Sequence, residues 1–202
     1  MLFELKKTFP DYYRYYGRRI AKRLSPSIND IFIKNFKNFS LDEEILKNLN
    51  SDQYQSLTLS SEFKKNIIEI GFGDGKHLFD LAHANKDIHF IGCEVFINGL
   101  GKVLKKIIDN NITNISLCGL NCLYLLENVE NSSIDKIFII NPDPWEKKRH
   151  FKRRLINRKF ITLMYKKIKN GGKVIITTDS SSYFLSISEI IKTEKIDFEE
   201  TV

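Results

Sequence analysis

Short apolar runs alternate with longer amphipathic stretches from residue 66 onward. The runs are rich in β-branched residues and are bounded by Gly, Asn or Asp, which is typical of strands. They cover residues 66–71, 88–95, 114–119, 134–140 and 173–179. The stretches between them have helical spacing, near residues 75–85, 98–110, 121–128, 154–169 and 181–192. Because such alternation favours right-handed crossovers, the pattern predicts an α/β protein with a doubly wound, mostly parallel sheet.

The chain before the first predicted strand divides into two parts. Residues 1–30 are polar and rich in tyrosine and arginine, so we expect a basic N-terminal segment that is a candidate for mobility. Residues 31–60 are predicted to form one or two helices packed on the sheet. With 202 residues and 42% hydrophobic content, the chain can bury one full core, and we expect a single domain over residues 31–202.

The sequence argues against several classes of protein. No apolar run approaches the roughly 20 residues that cross a bilayer, and the first ten residues do not resemble a signal peptide. Cys93, Cys118 and Cys122 form no CxxC pair and lie in or beside apolar runs, which predicts reduced core residues and no metal site. We therefore expect a cytoplasmic protein without membrane or metal partners, as a monomer or weak homodimer.

Positive charge is concentrated in two places. The net charge of +7 favours an anionic partner, but clustering is more informative than the total. One cluster lies within residues 14–23, and the other, residues 147–154, contains six Lys or Arg in eight positions. The second follows directly on Asn-Pro-Asp-Pro-Trp at residues 141–145, and such a segment is poor material for a buried strand or an early helix turn. We therefore expect it to have a binding function.

Polar residues follow the first two predicted strands, at the sheet edge where α/β proteins bind ligands. Glu69 is followed by Gly71, Gly73 and Gly75, which allow a tight turn and close approach of a ligand. Glu94 ends the second strand, where a carboxylate can accept both hydroxyls of an adenosine ribose. The glycine spacing departs from GxGxxG, and Glu69 suits a sulfonium-bearing amino acid better than a diphosphate, which its charge would repel.

The third and fourth loops supply further candidates. Asn121 can bind the amino group of adenine or cap the following helix, and both interpretations stay open. Asp143 lies between two prolines that fix the backbone, directly before Trp145. A rigid carboxylate beside an aromatic ring suits guanine, because the acid accepts from N1–H and N2–H while the ring stacks. The cations that follow can bind phosphates.

These motifs resemble a known family. The segments EIGFGDG, GCEV and above all PDPWEKKRHFKRR, followed by GGKVIITTD, are similar to those of the bacterial tRNA (guanine-N7)-methyltransferases, and the resemblance covers about residues 9–192. It implies a Rossmann-like class I methyltransferase fold, S-adenosylmethionine as methyl donor and the variable-loop guanine of tRNA as acceptor. The family commonly has Asp at the position of Asn121. It also continues past a final antiparallel strand pair, so we expect an incomplete carboxyl-terminal sheet edge here.

The resemblance also implies roles for individual residues. Cofactor contacts are implied at Glu69, Glu94, Asn121 and Asp143, and substrate contacts at Lys147 and Asp179. RNA contacts are implied at Arg149, His150, Lys152, Arg153 and Arg154. Asp143 is the expected catalytic residue: guanine N7 has a free lone pair and needs no general base, so the carboxylate would orient the base and favour its developing positive charge. Asp179 would hold a guanine edge or a ribose, or else cap a helix.

Three alternatives stay open. The first is a methyltransferase acting on another nitrogen, because NPDPW partly resembles an NPPY-type loop, although Asp143 alters the spacing. The second is a nicotinamide-dependent oxidoreductase, which the glycine spacing disfavours. The third is a noncatalytic RNA-binding module that retains a methyltransferase fold.

Overall fold

The computed structural model describes residues 16–17, 19–20, 24–49 and 55–196. The strands are β1 (Lys65–Ile70), β2 (Ile88–Cys93), β3 (Ile115–Cys118), β4 (Ile134–Ile140) and β5 (Ile168–Thr177). The helices are α1 (Pro26–Phe39), α2 (Asp42–Leu49), α3 (Lys76–Ala84), α4 (Ile97–Asp109), α5 (Cys122–Asn128), α6 (Arg158–Lys167) and α7 (Ser181–Thr193). A 3₁₀ helix spans Lys148–Arg153.

The five strands form one sheet in the order β3-β2-β1-β4-β5. Every neighbouring pair is parallel, which confirms the predicted doubly wound sheet. After β3 the chain crosses to the other side of β1, so the strand order reverses between β1 and β4. In open α/β sheets a ligand crevice forms at that point, outside the carboxyl ends of the strands.

Helices cover both faces of the sheet. Ile68 and Ile70 of β1 pack in one hydrophobic cluster with side chains of α2, α5, α6 and α7. Ile67 packs in a second cluster with side chains of α1, α3 and α4. Neighbouring side chains of β1 thus alternate between two cores, as expected for a strand buried on both faces. Cys93, a free thiol, belongs to the first cluster, as do the other two cysteines.

Two helices begin at other residues than predicted. The helix expected at 154–169 begins only at Arg158, because the Asn157 side chain caps it by accepting a hydrogen bond from the backbone N–H of Phe160. The first helix begins at Pro26, after the N-cap Ser25, so the expected domain boundary at residue 30 falls inside α1. The expectation of mobility for residues 1–15 lies outside the described residues.

Strand β5 forms one edge of the sheet in the part of the chain that the structure describes. It pairs with β4, and no described strand lies on its other side. None of its residues is fully buried, whereas five of the six residues of β1 are. The further strand expected near the carboxyl terminus falls on residues 197–202, outside the described residues.

No described helix is long and apolar enough to cross a membrane. No group of three or more His, Cys, Asp or Glu side chains among the same residues could hold a metal ion.

A buried histidine links three strands near their amino ends. His89 of β2 is 7% exposed, and its Nδ1 lies 3.0 Å from Asn66 Oδ1 while its Nε2 lies 2.9 Å from Ser116 Oγ. Its ring stacks on Phe63 with the centroids 5.2 Å apart. Burial lowers the pKa of His89 to about 4.

The buried His89 should make the fold sensitive to acid. Its pKa is lower in the folded state than in the unfolded chain, so the stabilising effect is complete above about pH 6.5 and is lost as pH falls toward 4. Between pH 7.5 and pH 5 the free energy of unfolding should fall by about 2 kcal/mol more in the native protein than in His89→Gln. Urea unfolding at both pH values measures this difference. His83→Gln, which removes an exposed histidine of α3, should keep the native response.

Candidate active site

A cleft of about 710 Å³ opens beyond the carboxyl ends of the strands, at the point where the strand order reverses. Seven residues predicted from the sequence line it, namely Gly71, Glu94, Asn121, Asp143, Lys152, Arg153 and Arg154. Four of the predicted cofactor residues therefore meet part of the basic segment in one cleft, whereas Glu69, Gly73 and Gly75 do not line it.

The three glycines after β1 have two different structural roles. Gly71 and Gly73 have left-handed φ angles of 73° and 59°, and a Cβ added to either would meet nothing within 4 Å. They leave open space in which a ligand can approach the backbone. Gly75 has φ 69°, but its added Cβ would lie 1.7 Å from Val103 Cγ2. Gly75 therefore allows α4 to pack against the loop.

Glu94 is a carboxylate fixed in position at the end of β2. The N–H of Gly73 donates to its Oε2 and the N–H of Phe96 to its Oε1, each over 2.9 Å. Burial raises the pKa of Glu94, and the two amide hydrogen bonds partly oppose that rise. Each oxygen still has acceptor capacity. Glu94 can therefore receive two hydroxyls without reorienting.

Glu69 lies elsewhere than the sequence led us to expect. Its side chain is buried, with Oε2 2.8 Å from Nδ1 of His77 on α3. Burial raises the pKa of Glu69, and His77 partly opposes the rise. Among the described residues, those that line the cleft do not include Glu69. Because side chains alternate along β1, Glu69 faces α3 and supports the glycine loop from behind.

Asn121 caps a helix, as one of its two interpretations predicted, and its contact with adenine stays a prediction. Its side-chain oxygen accepts from the N–H of Leu123 over 3.0 Å and so caps α5, while the residue also lines the cleft. The loop before it is held by Asp42 of α2, whose Oδ1 accepts from the N–H of Gly119 over 2.8 Å. Burial raises the pKa of Asp42 to about 6. Sequence reasoning did not single out Asp42, because nothing marks a helical acid as a loop support.

The fourth loop, residues 141–145, places Asp143 in the cleft between two residues in the left-handed region. Asn141 and Trp145 both have φ 46°, which is uncommon for such side chains. The base of the loop is tied to β5: Asn141 N–H donates to the carbonyl of Thr177 over 3.1 Å, and the Thr177 hydroxyl donates to Asn141 Oδ1 over 3.2 Å. The loop is therefore held by neighbouring backbone as well as by its prolines.

Trp145 is surrounded by aromatic and cationic groups. The Arg153 guanidinium lies 5.0 Å from the centre of the Trp145 ring and 5.2 Å from that of Tyr16. The His150 ring meets Trp145 edge to face at 5.7 Å. The pKa of His150 is lowered mainly by desolvation and to a smaller extent by neighbouring cations, so the neutral ring is favoured. Tyr16 was missed as a cleft residue, because the tyrosine-rich lead-in has no periodicity that assigns a place to any one ring.

Exposed cations form the rim beside the cleft. We call Lys147, Lys148, Arg149 and Lys152, all exposed, the rim cations. Lys147 caps the 3₁₀ helix, where its carbonyl accepts from the N–H of His150 over 2.7 Å. Asp179 is exposed after β5, and Ser180 caps α7. The helix-cap interpretation of Asp179 is therefore wrong, and its proposed contact with substrate stays a prediction.

Arg154 does not belong to the exposed cations, contrary to the expected RNA contact. It is 5% exposed and its guanidinium donates to Pro144 and Ser182. Each guanidinium nitrogen donates one hydrogen bond inside the protein, and the predicted RNA contact of Arg154 stays a prediction.

Comparisons with known proteins agree with this geometry. A family model described as "Putative methyltransferase" matches residues 64–201. Among solved structures, "Structure of an Antibiotic Related Methyltransferase" is similar with a TM-score of 0.51 and 19% identity, covering 72% of this chain and 79% of that one. This likeness supports the predicted class I methyltransferase fold.

Curated relatives fall into two groups. The "Bifunctional methyltransferase" of Rickettsia prowazekii is 37% identical over 179 residues, which are 89% of this chain and 32% of that protein. The chain thus spans about a third of the length of that longer relative. The "tRNA (guanine-N(7)-)-methyltransferase" of Wolbachia pipientis wMel is 34% identical over 192 residues, covering 95% of this chain and 79% of that protein. With this identity and coverage, the chain belongs to the tRNA (guanine-N(7)-)-methyltransferase family.

Proposed function

We propose that the chain transfers a methyl group from S-adenosylmethionine to N7 of the variable-loop guanine of tRNA, in the cytoplasm. The observation that carries the proposal is the convergence of Glu94, Asp143 and the rim cation Lys152 on one cleft, with the other rim cations exposed in the same basic segment. Such a reaction requires three parts: an acid that binds the nucleoside of the cofactor, an acid that binds the acceptor base, and a surface that binds phosphate.

The residues of the cleft fit S-adenosylmethionine. Glu94 presents two fixed carboxylate oxygens for a ribose, and the backbone at Gly71 is open to a ligand. Asn121 lines the same wall and offers a polar side chain for adenine. When bound, the cofactor supplies an electrophilic methyl group on a sulfonium. The buried Glu69 would act on it indirectly, through the glycine loop.

Asp143 is proposed to hold the acceptor. Guanine N7 carries a lone pair in the ring plane and needs no deprotonation, so the protein has to orient the base and stabilise charge. The Asp143 carboxylate can accept hydrogen bonds from the guanine edge, and its negative charge favours the positive ring that methylation produces. Asp179 and Lys147 would complete the acceptor side of the site.

A chemical mapping experiment tests the proposal. The chain is incubated with labelled S-adenosylmethionine and unmodified tRNA, and strand scission specific for N7-methylguanine locates the methyl group. We expect scission at one guanine of the variable loop. A tRNA with adenine at that position is the matched control and should not be labelled. Label on another nitrogen would favour an NPPY-type activity and contradict the proposal.

The rim cations should govern the salt dependence of RNA binding. Replacing Arg149 and Lys152 together by Ala should weaken tRNA binding, and the slope of log affinity against log salt should become shallower by about 1 to 2, because two phosphate contacts are lost. Filter binding between low and moderate salt measures this slope. Lys65→Ala with Lys86→Ala removes the same charge from the amino end of the strands and should leave the slope unchanged.

One observation favours a second candidate, a noncatalytic RNA-binding module. Within the described residues, β5 has no strand on its outer side, next to the loop that carries Asp179. An acceptor site with one open wall could bind RNA without turning it over. Tight binding of tRNA together with no measurable affinity for S-adenosylmethionine would favour this candidate.

A further inference from the structure

We infer that Arg154 is a positioning residue, which locks the Asp143 loop to the connection between β5 and α7. The expected role of Arg154 was phosphate binding, but its burial and its hydrogen bonds inside the protein favour a structural role. The consequence for methyl transfer rests on the proposed function, whereas the link between the two segments is independent of that function.

The guanidinium of Arg154 joins two segments that are distant in sequence. Its Nε–H donates to the carbonyl of Pro144 over 2.8 Å. Its Nη1 donates to the carbonyl of Ser182 over 3.3 Å, and its Nη2 to the Ser182 hydroxyl over 2.9 Å. Pro144 directly follows Asp143, and Ser182 lies in the first turn of α7, shortly after Asp179. One planar group thus fixes the backbone beside both proposed acceptor-binding acids.

Aromatic rings pack against the same guanidinium. The Arg154 Cζ lies 3.8 Å from the ring centre of Phe151 and 4.7 Å from that of Tyr183. Tyr183 is itself fixed, because its hydroxyl accepts from the N–H of Ile156 over 2.9 Å. No carboxylate of the described chain forms a salt bridge with Arg154. Its bonded acceptors are neutral, which suits a forked donor that spans two backbone segments.

The loop needs such a link. Two prolines fix φ within the loop, but they do not fix the loop relative to the sheet. Asn141 and Trp145 adopt unfavourable left-handed φ angles that persist only where surrounding contacts impose them. A further hydrogen bond runs from the Ser180 hydroxyl to Glu146 over 2.9 Å. Arg154 therefore acts at the middle of the loop, between the Asn141 base and the Glu146 end.

The geometry has a direct consequence for catalysis. A displacement of about 1 Å in a positioned group can reduce turnover roughly a hundredfold. Lysine retains the charge of Arg154 but cannot donate simultaneously to Pro144 and Ser182 in the same plane. Arg154→Lys should therefore lower kcat by about 10- to 100-fold. The affinity of Arg154→Lys for tRNA should stay within about twofold of the native value, because lysine keeps the charge. Arg154→Gln removes the charge and should keep the native salt slope, because Arg154 is not a phosphate contact.

Trp145 provides a readout that does not depend on activity. It is the one tryptophan of the chain and lies in the linked loop. In folded Arg154→Lys, acrylamide quenching of its fluorescence should rise about twofold, since a loosened loop exposes the indole. The matched control is Arg158→Lys, because Arg158 pairs with Glu194 on the surface at the start of α6. That variant should keep native quenching and native kcat.

Three results bear on the inference. Raised quenching with a lowered kcat and an unchanged tRNA salt slope supports it. Native quenching in a folded Arg154→Lys overturns it, whether or not the chain transfers methyl groups. Weaker tRNA binding with a shallower salt slope and native kcat would instead make Arg154 a phosphate contact and also overturn it. If Arg154→Lys does not fold, Ser182→Ala removes a single acceptor and should raise quenching to a smaller extent; native quenching there overturns the inference too.

Discussion

Asp143→Ala is expected to reduce methyl transfer roughly a thousandfold while tRNA affinity stays within about twofold. The Asp143 carboxylate lies in the cleft, whereas three of the four rim cations, Lys147, Lys148 and Arg149, lie outside it. Its loss should therefore remove orientation and charge stabilisation without removing the RNA anchor. Single-turnover rates at saturating cofactor and tRNA, combined with equilibrium binding, separate the two effects.

Two further variants sharpen the Asp143 experiment. Asp143→Asn keeps the size and an acceptor oxygen, so any remaining activity reports how much of the effect depends on charge. Asp87→Ala removes an exposed acid that pairs with Lys64 near the amino ends of the strands, and it should transfer methyl groups at the native rate. A large loss of tRNA binding in Asp143→Ala would contradict the assigned role.

Gly75→Ala is expected to destabilise the fold by about 3 to 5 kcal/mol. The new Cβ would overlap Val103 of α4, and the left-handed φ of 69° adds strain. Removing this overlap would require a shift of α4, whose side chains also pack in the second hydrophobic cluster. Urea unfolding monitored by circular dichroism measures the loss.

Gly171 provides the matched control for Gly75. Its φ is 77°, similarly left-handed, but an added Cβ would meet nothing within 4 Å. Gly171→Ala should therefore lower the free energy of unfolding only by the cost of a left-handed backbone conformation, about 1 kcal/mol. Equal losses in the two variants would show that helix packing contributes little at Gly75.

The sequence predicts most of the sheet because its strands consist of β-branched runs with clear limits. Four observed strands agree with the predicted ones to within two residues. Strand β5 begins at Ile168, whereas the sequence predicted a start near residue 173. The prediction missed the first residues because Lys-Asn-Gly-Gly at 169–172 has no strand-like pattern. Pairing of Ile168 with Ile134 of β4, followed by a register shift, brings that segment into the sheet. Tertiary pairing of this kind cannot be read from local propensity.

The site divides in the same way between predictable and unpredictable residues. Glu94 and Asp143 were expected in one cleft because the carboxyl ends of parallel strands meet at one edge. Glu69 and Arg154 are in the right segments but face inward. Their burial depends on which helices pack beside them, and a motif does not contain that information. Charge density and the family resemblance both placed Arg154 with the exposed cations.

The 3₁₀ helix places the side chains of the basic segment on three distinct faces. With three residues per turn, side chains three positions apart lie in one row. His150 and Arg153 both meet Trp145, Phe151 stacks on the buried Arg154, and the remaining pair, Arg149 and Lys152, is exposed. A shuffled segment with the same composition would keep its net charge and lose this separation. Deleting a single residue there would shift each later side chain into a different row and break the stacking on Arg154.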